Sequence, residues 1–204
     1  MNPWVGSQIA CGYTDIGDEV DMPNLEIGNA NGKFGGIRNL FSPSTPLTID
    51  KTEGNMVTND KIEDKDFVVS DVDEQLMLFI PFKRAVKVHS IHLTSLISTN
   101  EENETSKRPR TIKFVVNRPN MLGFEESAQF VQEIELGEQD WNDETGTAVI
   151  STRFVKFQNV FTLGIFIVDG LELAISDGVQ GEFTRLDRVR IIGRVANQST
   201  RLQY

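Results

Sequence analysis

From Leu76 to Val195 the apolar residues recur in short runs with a period of two, broken by turn-forming residues. A period of two sends alternate side chains to opposite faces of a strand. No run shows the longer period of an extended amphipathic helix. A chain written this way can bury its apolar residues only by stacking sheets on one another.

The runs can be placed individually. "FVVSDVDEQLMLFIPF" predicts a strand near 75–82, with Leu76, Leu78 and Ile80 on one face and Met77 and Phe79 on the other. Apolar residues on both faces imply a strand covered on both sides. A turn is expected at Lys83-Arg84, followed by a second strand in "VKVHSIHLTSL". "RTIKFVVN" places Ile112, Phe114 and Val116 on one face, and "FVQEIEL" reads as a further strand. "AVISTRFVKFQNV" and "FTLGIFIVDG" follow as strands joined near Asn159, and "FTRLDRVRIIGRV" is the last. Polar and glycine-containing segments at 100–109, 137–146 and 170–182 are loops. About seven or eight strands are expected. The fold class is all-β, an antiparallel β-sandwich with a jelly roll as its favoured form.

Residues 1–66 read differently. "EIGNANGKFGGIRNLFSPSTPLTID" is rich in turn residues, and "FGGIRNLF" can close a short helical turn that tucks Phe34, Ile37, Leu40 and Phe41 against a core. The division is an irregular acidic segment over 1–66, packed on or flanking a β-sandwich core over 67–204. Residues 1–75 hold 14 Asp and Glu against 5 Lys and Arg, whereas the remainder is nearly balanced. The net charge of −10 disfavours nucleic acid and anionic lipid as partners, because both need a basic footprint.

Nothing reactive is organised around the polar residues. The single cysteine, Cys11, rules out an internal disulfide and a CxxC redox pair, and fits a reducing compartment. The N-terminal residues do not have the form of a signal peptide, so the sequons at Asn103 and Asn197 read as chance matches. His89 and His92 are three apart and, on a regular strand, point to opposite faces. Without a bulge they cannot share a metal or an acid–base task. Asp169-Gly170 and Asp177-Gly178 read as turns rather than calcium loops, and Asp71, Asp73 and Glu74 as a solvated edge. No catalytic residue, metal or cofactor is expected. The dense phenylalanines read as core.

The last strand carries one unusual feature. Arg188, Arg190 and Arg194 share a face with Ile192, while Val189, Ile191, Gly193 and Val195 share the other. On an edge strand such a row blocks further strand pairing. On an accessible face it grips carboxylates, either those of the acidic N-terminal segment or those of another protein. Arg118 at the "NRPN" turn, Arg185, Arg188, Arg190 and Arg194 are the candidate partner contacts.

"SDVDEQLMLFIPF", "VKVHSIHL", "RTIKFVVNRPNM", "TRFVKFQNV" and "FTRLDRVRIIGRV" occur in that order, and in order, spacing and character the chain resembles the PITH domain family. The resemblance implies a jelly roll similar to galactose-binding-like domains. It also implies a non-enzymatic interaction module associated with the proteasome regulatory particle or another ubiquitin-pathway protein, in cytoplasm and nucleus; separately, a monomer is expected. In fused relatives a thioredoxin half carries the redox chemistry; this chain, lacking CxxC, resembles a stand-alone member. The segments 42–60 and 170–182 depart from the family pattern. The other reading is a lectin-like module binding carbohydrate or a small ligand, for which Trp4, Tyr13, Trp141 and Tyr204 are the available aromatic platforms.

Overall fold

The computed structural model describes residues 12–46, 66–96, 106–121, 123, 129–171 and 183–196. Cys11, Trp4, Tyr204, both sequons, Asp177 and most of the 170–182 loop lie outside these residues.

Eleven strands are present among the described residues: β1 (Thr14–Asp15), β2 (Glu26–Gly28), β3 (Val68–Val69), β4 (Leu76–Thr94), β5 (Ser106–Lys107), β6 (Thr111–Val116), β7 (Gln132–Glu135), β8 (Thr147–Ser151), β9 (Val160–Ile167), β10 (Phe183–Leu186) and β11 (Arg188–Val195). All pairs are antiparallel except β10 with β5. The only helices among the described residues are short 3-10 turns.

β4 organises the molecule. Its first half, Leu76–Pro81, lies between β2 and β9, and β9 continues to β6 and β7. Its second half lies between β11 and β8, with β1 on the far side of β11. The two halves therefore belong to two layers that curl around one core, the expected jelly-roll sandwich.

The hairpin expected at Lys83-Arg84 does not form. β4 is one 19-residue strand running through that site. Pro81 pairs with Thr162 and Val86 with Val160, so five steps on β4 stand against two on β9. Extra residues in one strand bend it and increase its twist, which is how a strand passes from one layer to the next. Lys83 Nζ donates to the Asp18 carbonyl, and Arg84 pairs with Glu19 at 2.5 Å. The charges that suggested a turn in the sequence brace a corner instead. The Arg84 hydrogen bond also holds the Glu19 carboxyl below its ordinary pKa.

The core follows the predicted alternation. Leu76, Leu78 and Ile80 are fully buried, as are Ile112 and Phe114, and Val189 and Ile191 close the opposite layer. The N-terminal segment takes part: Ile16, Val20, Ile37, Leu40 and Phe41 belong to the same cluster. The 3-10 turn at Ile37–Phe41 is the one foreseen, and Phe34 packs on Phe67 with ring centroids 5.3 Å apart.

A second bulge lies in the other half of β4. Ile192 pairs with Ser90 and Gly193 with Val88, leaving His89 without a partner on β11. Gly193 is required here, since a Cβ would stand 2.2 Å from the Lys87 carbonyl oxygen. After this bulge the core-facing residues shift from Val86 and Val88 to Ile91 and Leu93.

Candidate functional site

The arginines of the last two strands are held mainly within the molecule. Arg185 and Asp187 form an ion pair at 2.6 Å with side-chain exposures of 2% and 0%. The Arg185 guanidinium also lies 3.7 Å from the centre of the Phe67 ring. Burial pushes the Asp187 carboxyl pKa up, while Arg185 and the Leu96 backbone N–H pull it down; burial prevails.

Arg188 is fully buried. It donates to the carbonyls of Ser44 and Thr45 and pairs with Asp66, so it binds both sides of the 47–65 segment. Arg190 donates to the Ser42 carbonyl and approaches Asp15 at 3.5 Å. The alternation read from the sequence is correct, and what covers this face is the N-terminal segment. Arg185 and Arg188 therefore present no accessible guanidinium, and Arg190 very little. Arg194 remains exposed, 5.8 Å from the centre of the Tyr13 ring.

The bulge alters the geometry of the histidines. They do not point to opposite faces: Ser90 Oγ stands 3.4 Å from His89 Nδ1 and 3.2 Å from His92 Nε2. Ser90 and His92 are only 3% and 4% exposed, so this is a buried polar bridge rather than a group open to a substrate. Burial, with a smaller contribution from His89, lowers the His92 pKa to about 4. Among the described residues no three His, Cys, Asp or Glu side chains are grouped to hold a metal.

Two acidic features are also structural. Glu74 is not part of a solvated edge: it pairs with the buried Lys107 and accepts from the Gly170 N–H. Asp169 is tied to Arg110 at 2.6 Å and accepts from the Thr111 N–H, which together outweigh burial and lower its pKa.

Two accessible regions stand out among the described residues. The first follows β8. "TRFVKFQ" was expected as strand, but Phe154–Phe157 is a 3-10 turn. Phe157 enters the core, while Phe154 is 61% and Val155 82% exposed. Phe161, at the start of β9, and Val149, on β8, are also exposed, and Arg153 and Lys156 flank them. Four of the five exposed large hydrophobic residues among those described fall between 149 and 161. The expectation that the phenylalanines are core does not hold for Phe154 and Phe161. Contacts lead from here toward Arg194, because Thr152 donates to the His89 carbonyl and the His89 ring lies 4.2 Å from that of Tyr13.

The second region is a groove of about 200 Å³ on the outer face of the other layer. Its floor includes Met77, Phe79, Val115 and Phe166, and Arg118 stands at its side.

A model of the PITH domain matches residues 6–204. The chain belongs to the PITH domain family. This PITH domain is 37% identical over 135 residues to thioredoxin-like protein 1 of Schizosaccharomyces pombe, covering 66% of this chain and 42% of that protein. It is 29% identical over 122 residues to PITH domain-containing protein CG6153 of Drosophila melanogaster, covering 58% of this chain and 53% of the relative. It thus spans about half the length of the curated relatives it matches. Among solved structures it is similar to the family 32 carbohydrate-binding module of C. perfringens NanJ in complex with galactose, with a TM-score of 0.50 at 13% identity, covering 88% of this chain and 98% of that one. At that identity the likeness concerns the fold, which is galactose-binding-like.

Proposed function

We propose that this PITH domain is a non-enzymatic protein-interaction module that associates with the proteasome, in the cytoplasm and nucleus. Its partner-facing surface is centred on the exposed residues Phe154, Val155 and Phe161, with Arg153 and Lys156 near them in sequence and Arg194 reached through the Thr152–His89–Tyr13 contacts. The observation that carries this reading is the concentration of exposed large apolar residues at 149–161. Single exposed apolar residues are ordinary, but a grouped apolar patch rimmed by charge is the usual form of a protein contact. Phe154 on a short turn and Phe161 at the start of β9 supply apolar area at small conformational cost, and the flanking cations favour an acidic partner surface.

The proteasome as partner is supported by the family and by the relationship to thioredoxin-like protein 1. The lectin-like reading is less well supported, because Trp141 is 3% exposed and offers no platform for a sugar ring.

The test is affinity purification of the tagged chain from native extract with mass spectrometry. Recovery of proteasome subunits, reduced by Phe154→Asp and Val155→Asp and weakened by added salt, is the expected result. Recovery of no proteasome subunit by the folded wild-type chain would overturn the proposal.

A further inference from the structure

The groove on the β4/β9/β6 layer is unrelated to the partner strip and has its own chemistry. Met77, Phe79 and Val115 are 6%, 7% and 6% exposed, yet none belongs to the central core cluster. They form a second, smaller apolar layer on the opposite side of the sheet. Phe166 lies beside them and stacks on Phe130, with centroids 6.3 Å apart and planes 12° from parallel. Gly164 lies between these side chains in the lining. A Cβ there would meet Val115 Cγ1 at 2.5 Å, so a glycine is what lets the groove and Val115 coexist.

The polar part of the described lining is cationic or neutral: among the described residues Arg118, Lys113 and Asn120 contribute to it, and no Asp or Glu does. Lys113 lies 5.3 Å from the Phe130 ring centre and 3.5 Å from Glu133. The Arg118 guanidinium has no carboxylate partner among the described residues, although the chain carries a net charge of −10. With Lys113 balanced by Glu133, Arg118 is the anion-binding group among the described lining residues, and a planar guanidinium suits a carboxylate.

Size limits the rest of the ligand. A cavity of about 150 Å³ lined by apolar side chains holds one benzene. A groove of about 200 Å³ walled by phenylalanines and two methionines accommodates one ring and a short acidic arm, not a folded segment. We infer that the groove is a binding site for a small aromatic carboxylate, its ring between Phe79, Phe130 and Phe166 and its carboxylate on Arg118. This site does not rest on the proteasome reading.

The test is a titration of the ¹⁵N-labelled full chain with phenylacetate, followed by NMR. Saturable shifts are expected at the amides of Phe79, Val115, Gly164 and Phe166. The uncharged phenylacetamide should bind about tenfold or more weakly. Arg118→Gln should weaken phenylacetate by about tenfold while leaving phenylacetamide unchanged, with Arg118→Lys intermediate. A Phe154→Asp, Val155→Asp chain should bind phenylacetate like wild type, which separates failure of this site from failure of the partner strip. No groove shifts up to about 10 mM, equal binding of acid and amide, or binding of the acid unaltered by Arg118→Gln would each overturn the inference. So would a peptide ending in phenylalanine that binds tenfold more tightly than phenylacetate, since the site would then recognise a protein terminus.

Discussion

Arg185 and Asp187 stand two residues apart at the junction of β10 and β11 and form a 2.6 Å ion pair that neither side chain shares with solvent. The same carboxylate accepts the Leu96 N–H, so the pair fastens the end of β4 to the final strands. Removing one member leaves the other charged and buried. Arg185→Met is expected to destabilise the domain by about 3–5 kcal/mol, measured by urea denaturation. A change below 1 kcal/mol, on the order of an exposed pair, would show that the pair is solvated in solution.

The bulge at His89 makes Gly193 sensitive in a way that an ordinary strand glycine is not. With the Lys87 carbonyl oxygen 2.2 Å from any Cβ, Gly193→Ala must shift the β4–β11 backbones. A loss of roughly 1–3 kcal/mol is expected, in the range of overpacked sites. Gly32→Ala is the control, because nothing lies within 4 Å of its added carbon. Equal midpoints for the two variants would contradict the bulge geometry.

The His92 imidazole makes stability depend on pH. Its folded pKa near 4 lies below the ordinary value of 6.5, so the unfolded chain binds the additional proton. The term is absent above pH 6.5 and grows as the pH falls toward 4, where it removes about 2–3 kcal/mol of stability. Carboxylates with lowered pKa, such as Asp169, act in the same direction, so the informative quantity is a difference. His92→Gln should show a flatter loss of stability than wild type between pH 6.5 and 4. Parallel curves would mean that His92 titrates normally.

Much of the architecture could be read directly from period-two spacing. Leu76, Leu78 and Ile80, Ile112 and Phe114, and Val189 and Ile191 all face the core as the alternation indicates. What the spacing cannot convey is long-range covering. Whether the arginine row of β11 met the N-terminal segment or another protein stayed open because its cover, Ser42 to Thr45, lies up to 148 residues earlier in the chain. Lys83-Arg84 resembled a hairpin turn because charge marks exposure, and a corner inside a continuous strand is exposed too. Phe154 and Val155 resembled strand because β-formers are the same residues wherever they are placed; the proline-free "STRFVKF" carries no local sign of the 3-10 turn. The groove was out of reach for a further reason. Its lining combines β4, β6 and β9 with the turn after Asn117, and only the strand order brings these together.

On the proposed function, this domain works through the exposed strip after β8. The most direct measurement is quantitative co-purification of proteasome subunits with the tagged wild-type chain and with a Phe154→Asp, Val155→Asp, Phe161→Ser chain, alongside thermal unfolding of both. The variant is expected to unfold at the wild-type temperature and to lose about tenfold or more of the recovered proteasome. Undiminished recovery by a fully folded variant would contradict it.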